Sequence, residues 1–179
     1  MSEKLLRNIL SDIKVELTDE FDKNFERKGF FSTKWAKTKM ENRKGSLMNR
    51  TGFLRRSIRS KISATGITFE SDAPSAEIHN EGGEITVTAK MKRFFWAMYY
   101  SETGAIKKSK YGREIKSKAN ARRQENGSAW KAMAMMKVGS KIKIPKRQFI
   151  GNAPEVENII RQIIEENMKE AINQIALQP

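Results

Sequence analysis

Apolar residues recur at helical spacing near both ends of the chain. The first stripe consists of Leu6, Ile9, Ile13, Leu17, Phe21 and Phe25, and it predicts a long helix. We expect Ser2 to cap the start of this helix and Gly29 to end it. The second stripe runs from Val156 to Ile175. It follows Asn152-Ala153-Pro154-Glu155, where a proline and an early acid are typical of a helix start.

Apolar and polar positions alternate in the middle of the chain, which is typical of short strands. Ala64-Thr65-Gly66 connects two such runs, Leu54–Ile62 and Ile67–Phe69, and predicts a β-hairpin, although the first run is spaced ambiguously between strand and helix. Further strands are expected at Glu84–Thr88 and at Lys141–Ile144, before Pro145. The predicted fold is therefore α+β, with long N- and C-terminal helices packed on a small, mainly antiparallel sheet.

Three shorter helices are also expected from the sequence. One turn is predicted at Ala76–Asn80 and a longer helix at Ala89–Glu102, capped by Thr88. Ser128 is expected to cap another helix that continues to Met136. Spacing in the longer helix favours core packing for Phe95 and Tyr99 and leaves Trp96 and Tyr100 available for an interface.

Two segments contain few periodic apolar residues. Residues 30–53 are expected to form a loop rich in Lys and Arg, with a short helical turn around Gly45–Asn49. Residues 104–127 are rich in Lys, Arg, Ser, Asn and Gly, a composition that favours a mobile loop. The length of the chain suits one domain. We therefore expect a single domain over residues 1–179 that includes a basic, mobile insertion at residues 104–140.

Charge is distributed in blocks along the chain, whose formal net charge is +14. Residues 27–61 hold 12 Lys/Arg and one acid, and residues 104–147 hold 14 Lys/Arg and two acids, whereas the other three blocks are mildly acidic. Such blocks face solvent or an acidic partner. The candidate basic contact surface comprises Lys107, Lys108, Lys110, Arg113, Lys116, Lys118, Arg122 and Arg123. Contact with an acidic neighbouring subunit and contact with DNA phosphates account for it equally well.

The residue types argue against several functional classes. With no cysteine in the chain, disulfides and thiolate metal sites are excluded. The apolar runs are too short to span a bilayer, and no hydrophobic signal core is visible, so we expect no membrane association and a cytoplasmic site of synthesis.

Catalytic residues are scarce in this sequence. The single histidine, His79, lies in a polar turn, where a structural role is expected. Glu77, Glu81 and Glu84 are close in sequence, but their spacing marks no metal site, and Gly82-Gly83 lacks the following Lys-Ser/Thr of a phosphate-binding loop. We therefore expect no catalytic, metal or cofactor site, and no enzymatic activity.

Several short motifs, in order along the chain, resemble the phage virion-morphogenesis family, which includes the G protein of phage Mu and related tail-completion proteins. They are Phe31–Trp35, Arg43–Gly45 with Leu47, Arg50–Ile58, Ala76–Gly83, Ile85–Met91 leading into Phe95–Ala97, and Ile144–Gly151. The family-motif positions are Trp35, Thr51, Gly52, Leu54, Ser57, His79, Gly82, Gly83, Met91, Pro145, Arg147, Phe149 and Gly151. The chain departs from this pattern at residues 104–140, which look longer and more basic than a minimal member would need.

The resemblance implies a non-enzymatic assembly role in tail completion or head–tail joining, as a ring-forming subunit of the tail-terminator type. The implied partners are other phage tail and neck proteins and further copies of the chain, with incidental, non-specific DNA contact. The implied location is the virion, and the cytoplasm of the bacterial host during assembly. A basic nucleic-acid-binding protein of a mobile element is the alternative. A metal-dependent nuclease using Glu77, Glu81 or Glu84 is a weaker third hypothesis.

Overall fold

The protein is represented by a computed structural model that describes residues 3–38, 46, 48–64 and 66–176. Helices and antiparallel strand pairs confirm the predicted α+β class. In chain order the elements are α1 (Glu3–Arg27), β1 (Gly29–Phe30), β2 (Thr33–Lys34), α2 (Phe53–Arg56), β3 (Ile58–Ser63), β4 (Gly66–Ser71), α3 (Ala76–Asn80), β5 (Gly83–Thr86), α4 (Ala89–Gly104), α5 (Lys118–Met135), β6 (Lys141–Ile144) and α6 (Pro154–Ala176).

The chain divides into two compact units. Unit 1 combines Met1–Ala36, Lys44–Gly82 and Pro145–Pro179, and unit 2 combines Lys37–Arg43 with Gly83–Ile144. Unit 1 therefore contains both long terminal helices and the β3–β4 hairpin, whereas unit 2 contains α4, α5 and the β5–β6 pair. The expectation that residues 1–179 act as one domain stays a prediction.

The first apolar stripe forms the main core of unit 1. Residues Ile9, Ile13, Leu17 and Phe21 of α1 are buried, and they pack with Phe30, Val156 and partly buried residues of β3, β4 and α6. Ile160 and Ile163 of α6 are among those partly buried residues, so the second stripe is less deeply covered than the first. Burial of this stripe removes apolar surface from water and so stabilises the unit.

Helix α1 ends differently from the prediction. Lys28, not Gly29, adopts the left-handed conformation after the helix, with a φ of 52°. Gly29 instead pairs with Lys34 in a two-residue antiparallel ladder that the sequence did not predict. A Cβ at Gly29 would lie 2.6 Å from the carbonyl oxygen of Thr33, so the glycine permits close approach of the two strands. The expected cap, Ser2, lies outside the described residues.

The predicted central hairpin is confirmed, with one correction at its start. Strands β3 and β4 pair from Ile58↔Ser71 to Ser63↔Gly66. Leu54 is not part of the first strand but lies in the short helix α2, whose preceding residue Gly52 has a φ of 71°. Thr51-Gly52 therefore leads into a helical turn and not directly into the hairpin. Thr65 lies outside the described residues, as do Gly45 and Leu47 of the helical turn expected at Gly45–Asn49.

Antiparallel pairing is confirmed, but the described strands form three separate two-stranded sheets and not one sheet. The third pair joins β5 and β6 between Gly83↔Ile144 and Thr86↔Lys141. Strand β5 thus begins one residue before the predicted strand Glu84–Thr88 and ends two residues before its predicted end. Val87 is fully buried beside this pair, and its N–H donates to the carbonyl of Ser140 at 2.8 Å.

Helices α4 and α5 form the body of unit 2. The Thr88 cap is confirmed, because its hydroxyl accepts from the N–H of Met91 at 3.2 Å. Helix α5 overturns the second half of the loop expected at residues 104–127 and the expected cap at Ser128, because it begins at Lys118 and is capped by Ser117. The buried positions of α5 are largely small or polar, namely Asn120, Asn126, Gly127 and Ala134. A search for apolar periodicity could not have found them.

The α4–α5 contact combines aromatic packing with a close approach of the two helices. Phe95 is buried, as expected, and its ring centroid lies 5.9 Å from that of Trp130. Tyr99 and Trp96 are half-buried, whereas Tyr100 is 64% exposed. About one helical turn before Trp130, a Cβ at Gly127 would lie 3.2 Å from Cγ2 of Thr103 and 3.8 Å from Cδ2 of Tyr99.

Replacing Gly127 with valine tests this packing. The added side chain would meet Thr103 and Tyr99 of α4, so we expect Gly127→Val to destabilise the protein by about 1–3 kcal/mol. Gly104→Val is the matched control, because a Cβ there meets nothing within 4 Å. Urea unfolding of both variants measures the difference. Equal losses would show that Gly127 is not a packing residue.

Candidate assembly surfaces

The motif residues Trp35, His79, Arg147 and Phe149 come together in unit 1, and we call them the motif cluster. The indole N–H of Trp35 donates to the carbonyl of Gln148 at 2.6 Å. The Nε of Arg147 donates to the carbonyl of Ala36 at 3.0 Å, and its backbone N–H donates to the carbonyl of His79 at 2.7 Å. Side chains distant in sequence thus hold the segment before α6.

Two asparagines complete this arrangement around Phe149, whose side chain is fully buried. The Oδ1 of Asn80 accepts from the N–H of Phe149 at 2.9 Å and from that of Ile150 at 3.2 Å. The Nδ2 of Asn24 donates to the carbonyl of Phe149 at 3.2 Å, while its Oδ1 accepts from the N–H of Phe31 at 3.0 Å. Buried backbone groups without a strand partner are therefore satisfied by side chains.

Neither asparagine was singled out from the sequence, although each left a signal. Asn24 is a polar residue on the same helical face as Phe21 and Phe25, and it is fully buried. A polar residue inside an apolar stripe is expected to have a specific hydrogen-bonding partner. Asn80 lies within the Ala76–Gly83 motif, next to His79.

His79 is half-buried, and its Nδ1 has no hydrogen-bond partner among the described residues. Burial lowers the pKa of His79 below its ordinary value, and the nearby Arg147 cation lowers this pKa further. Burial also lowers the pKa of Arg147, whose side chain is 4% exposed. The imidazole thus lies beside a buried guanidinium, and both burial and this neighbouring charge disfavour its protonated form.

The remaining motif residues shape corners of the chain. Leu54 and Ser57 are buried, and the hydroxyl of Ser57 donates to the carbonyl of Leu54 at 2.7 Å. The hydroxyl of the exposed Thr51 accepts from the N–H of Phe53 at 3.3 Å. Four others lie at turns or at element boundaries, namely Gly82, Gly83, Pro145 and Gly151. Met91 is not in the unit that contains the motif cluster, because it lies in α4 of unit 2.

The three candidate glutamates do not form a metal site. Glu81 pairs with Lys146 at 3.4 Å and Glu84 with Lys141 at 2.9 Å, while Glu77 is exposed on α3. Across the described parts of the chain, no group of three or more His, Asp or Glu side chains is placed to hold a metal ion.

The basic candidate residues lie in two adjoining places in unit 2. Lys107, Lys108, Lys110, Arg113 and Lys116 lie in residues 105–117, which we call the basic loop, and Lys118, Arg122 and Arg123 lie in the first turns of α5. All are exposed except Arg123, which is half-buried and donates to the carbonyl of Ala105.

The basic loop is ordered by one buried side chain. The Oδ1 of Asn120 accepts from the N–H of Lys107 at 3.0 Å, and its Nδ2 donates to the carbonyls of Lys107 and Ile115, each at 2.8 Å. The segment predicted as a mobile insertion therefore contains a loop that is hydrogen-bonded to Asn120, followed by a helix. Its order comes from an amide and not from an apolar core.

An apolar groove of about 740 Å³ lies in unit 1 between α1, β4 and α6. Its lining includes Leu6, Leu10, Ile13, Ile67, Ile160 and Ile164. The apolar stripe of α6 continues beyond it as exposed side chains, which are Met168, Ile172 and Ile175. None of the helices in the described residues combines the length and apolar character that crossing a membrane requires.

Comparison with known proteins decides the family. The model of the phage virion morphogenesis family matches residues 6–169, from α1 to the middle of α6. The chain belongs to the phage virion morphogenesis family. No protein with a curated description and no solved structure matches this virion morphogenesis protein significantly.

Membership supports a structural role in building phage particles and fits association with the virion. The match spans the motif cluster, and it also spans the basic loop and α5. The two features that side-chain amides organise, in units 1 and 2, therefore both lie within the family domain of this virion morphogenesis protein.

Substitution of Asn80 tests how the motif cluster is held. Asn80→Ala leaves the N–H groups of Phe149 and Ile150 without an acceptor, so we expect a loss of about 2 kcal/mol or more in the free energy of unfolding. Asn80→Asp keeps both accepted bonds and replaces the exposed donation to Glu81 by a contact between two carboxylates, so we expect a smaller loss, the more so as high salt screens this repulsion. Chemical denaturation distinguishes the variants. Equal losses would contradict the assigned role of Oδ1.

The lowered pKa of His79 predicts a pH dependence of stability. Because the unfolded state takes up this proton more readily, stability from this group is fully present above the ordinary pKa of about 6.5 and is lost as pH falls below it. His79→Gln removes this contribution, so we expect its stability relative to the original protein to improve from pH 7 to pH 5. Thermal unfolding across that range provides the measurement. Parallel curves would show that His79 does not titrate differently on folding.

Proposed function

We propose that the protein is a non-enzymatic, ring-forming subunit that acts in tail completion or head–tail joining, as a tail terminator does. Family membership supports the phage assembly role, and the motif resemblance to tail-completion proteins supports the station. The observation that carries the proposal of ring formation is the exposed apolar stripe of α6, which continues from the groove in unit 1.

The stripe consists of large apolar side chains on one helical face. Ile164 and Met168 are each 40% exposed, Ile172 is 60% exposed and Ile175 is 72% exposed. A contiguous apolar surface of this kind is typical of a protein interaction site. Since a ring requires each subunit to present complementary surfaces to two neighbours, we assign this stripe and groove to the neighbouring copy of the chain.

The charge distribution supports contacts between unlike surfaces. Helix α6 carries five acids, Glu155, Glu157, Glu165, Glu166 and Glu170, against the two basic residues Arg161 and Lys169. Residues 104–147 instead carry a large basic excess. A head-to-tail contact can use such opposite charges to select the correct register.

Under this proposal the partners are further copies of the chain and other phage tail and neck proteins. The site of action is the virion, with assembly in the cytoplasm of a bacterial host. We assign no cofactor to the assembly role, which requires binding surfaces and not reactive groups.

Electron microscopy of particles made without this protein tests the proposed station. We expect finished heads separate from unjoined or overlong tails, because the missing subunit would end the tail or connect it to the head. Supplying the protein in trans should restore complete particles. Normal virions in its absence would contradict an essential role in assembly.

A paired substitution tests the α6 stripe as the interface. Ile172→Asp with Ile175→Asp should leave the fold nearly unchanged, since both side chains are largely exposed. The pair should weaken the contact between subunits at least about tenfold, the equivalent of 1.4 kcal/mol, and particle yield should fall with it. Val15→Asp is the control, because Val15 of α1 is 65% exposed and lies outside the stripe. Plaque titre measures yield and thermal unfolding checks the fold. Normal titre with the paired variant would exclude the stripe as the ring contact.

A further inference from the structure

We propose that the basic loop and the first turns of α5 bind the phosphate backbone of duplex DNA without reading its sequence. This inference goes beyond the proposed assembly role, because it assigns a ligand to a surface of unit 2. It is tested on the purified protein, so its outcome is independent of the particle phenotype.

The local charge is almost entirely of one sign. Residues 104–123 contain eight Lys/Arg and one acid, Glu114, whose carboxylate accepts from Gln124. Among the described residues, no carboxylate forms an ion pair with Lys107, Lys108 or Lys110. The same holds for Arg113, Lys116 and Lys118 across the described parts of the chain. These cations are therefore not neutralised within the described protein and remain available to an external polyanion.

The cations are held on a fixed backbone. Besides the bonds from Asn120, the N–H of Ser109 donates to the carbonyl of Arg113 at 2.7 Å and the N–H of Ile115 donates to that of Lys107 at 3.0 Å. Lys108 and Glu114 form an isolated antiparallel bridge across the loop. Because the loop is already ordered, binding does not require its backbone to be immobilised.

The side-chain types favour phosphate over an acidic protein. Five of the eight cations are lysines, and lysine is depleted at protein–protein interfaces, where aromatic residues, Met and Arg are enriched. The large apolar side chains exposed on the loop are only Tyr111 and Ile115 among those described. An interface core of that size would be small, whereas phosphate contacts need no apolar core.

The same surface favours duplex over single-stranded DNA. Single-strand binding uses successive aromatic side chains as stacking platforms. Within the basic loop the exposed aromatic residue is Tyr111, and the Nζ of Lys110 lies 4.9 Å from its ring centroid. A single aromatic side chain cannot support a stacked strand, so the charges alone would provide the affinity.

Fluorescence anisotropy with a labelled, random-sequence 30-base-pair duplex is the direct test. We expect the purified full chain to bind at low salt and its affinity to fall steeply with salt, with a log–log slope of about −0.9 per phosphate neutralised. The variant Lys107→Gln/Lys108→Gln/Lys110→Gln/Arg113→Gln should bind at least about tenfold more weakly, and its slope should be shallower by about 3 to 4 units.

A matched control separates the loop from bulk charge. The variant Lys4→Gln/Lys28→Gln/Lys137→Gln/Lys169→Gln removes the same formal charge from four exposed positions spread along the chain. With both quadruple variants compared at physiological salt, we expect its affinity to fall less than about threefold, since charges more than about 8 Å from the bound DNA are largely screened there. Circular dichroism and thermal unfolding establish that both quadruple variants remain folded.

Asn120→Ala provides a second variant that leaves every charge in place. It removes the bonds that fix the loop to α5, so we expect duplex affinity to fall several-fold while the salt slope changes little. Unchanged affinity in this variant, if hydrogen exchange shows the loop released, would overturn the claim that the loop is an organised binding surface.

Several outcomes would overturn the proposal itself. They are absence of duplex binding at 50 mM salt and 100 µM protein, equal losses in the two quadruple variants, or tighter binding to single strands than to duplex. A sequence-specific footprint would also contradict phosphate binding alone. If the loop variant keeps duplex binding but no longer associates with purified tails, the basic loop docks on a protein and not on DNA.

Discussion

The segment before α6 is buried although it belongs to no strand pair. Much of unit 1 depends on which groups form hydrogen bonds with the backbone of this segment. Phe149 lies fully buried beside Phe25, with ring centroids 5.5 Å apart. Placing its backbone there costs free energy unless each N–H and carbonyl finds a partner. Asn24, Asn80 and the Trp35 indole provide those partners along residues 148–150. The contacts join α1, the segment after β2, α3 and the segment before α6, so the motif cluster is held together by one requirement.

In unit 2, a side-chain amide also forms hydrogen bonds with backbone groups outside the strands, and fewer apolar residues are buried. Asn120 satisfies the backbone at both ends of the basic loop, and Gly127 lets α5 approach α4 closely. These contacts order a segment whose exposed side chains are mostly charged. Exposed cations are what a surface needs to bind an anion or an acidic partner. The residues that hold this unit and those that we propose for binding are therefore different: the amide and the glycine hold the helices and loop, and most of the cations are exposed.

Membership of the virion morphogenesis family supports a structural role in building phage particles. A particle subunit has to fold before assembly and then offer surfaces to its neighbours. In the functions that we propose, the exposed α6 stripe and the basic loop are such surfaces, one apolar and the other cationic. They lie in different units, so the ring contact and the DNA contact that we propose can be altered separately. Salt should weaken the cationic contact far more than the apolar one.

The sequence by itself determined the elements whose side chains show a regular pattern. The stripes of α1 and α6, the β3–β4 and β5–β6 strands, the Thr88 cap and the α+β class follow from periodicity and capping, because these are local properties of the chain. The motif order also indicated the family. The tertiary structure decided what depends on partners distant in sequence: the order of the basic loop, the start of α5, the left-handed Lys28 and the pairing of Gly29. A buried amide or a helix-packing glycine has no periodic signature, since its value comes from the backbone group or helix that folding places against it.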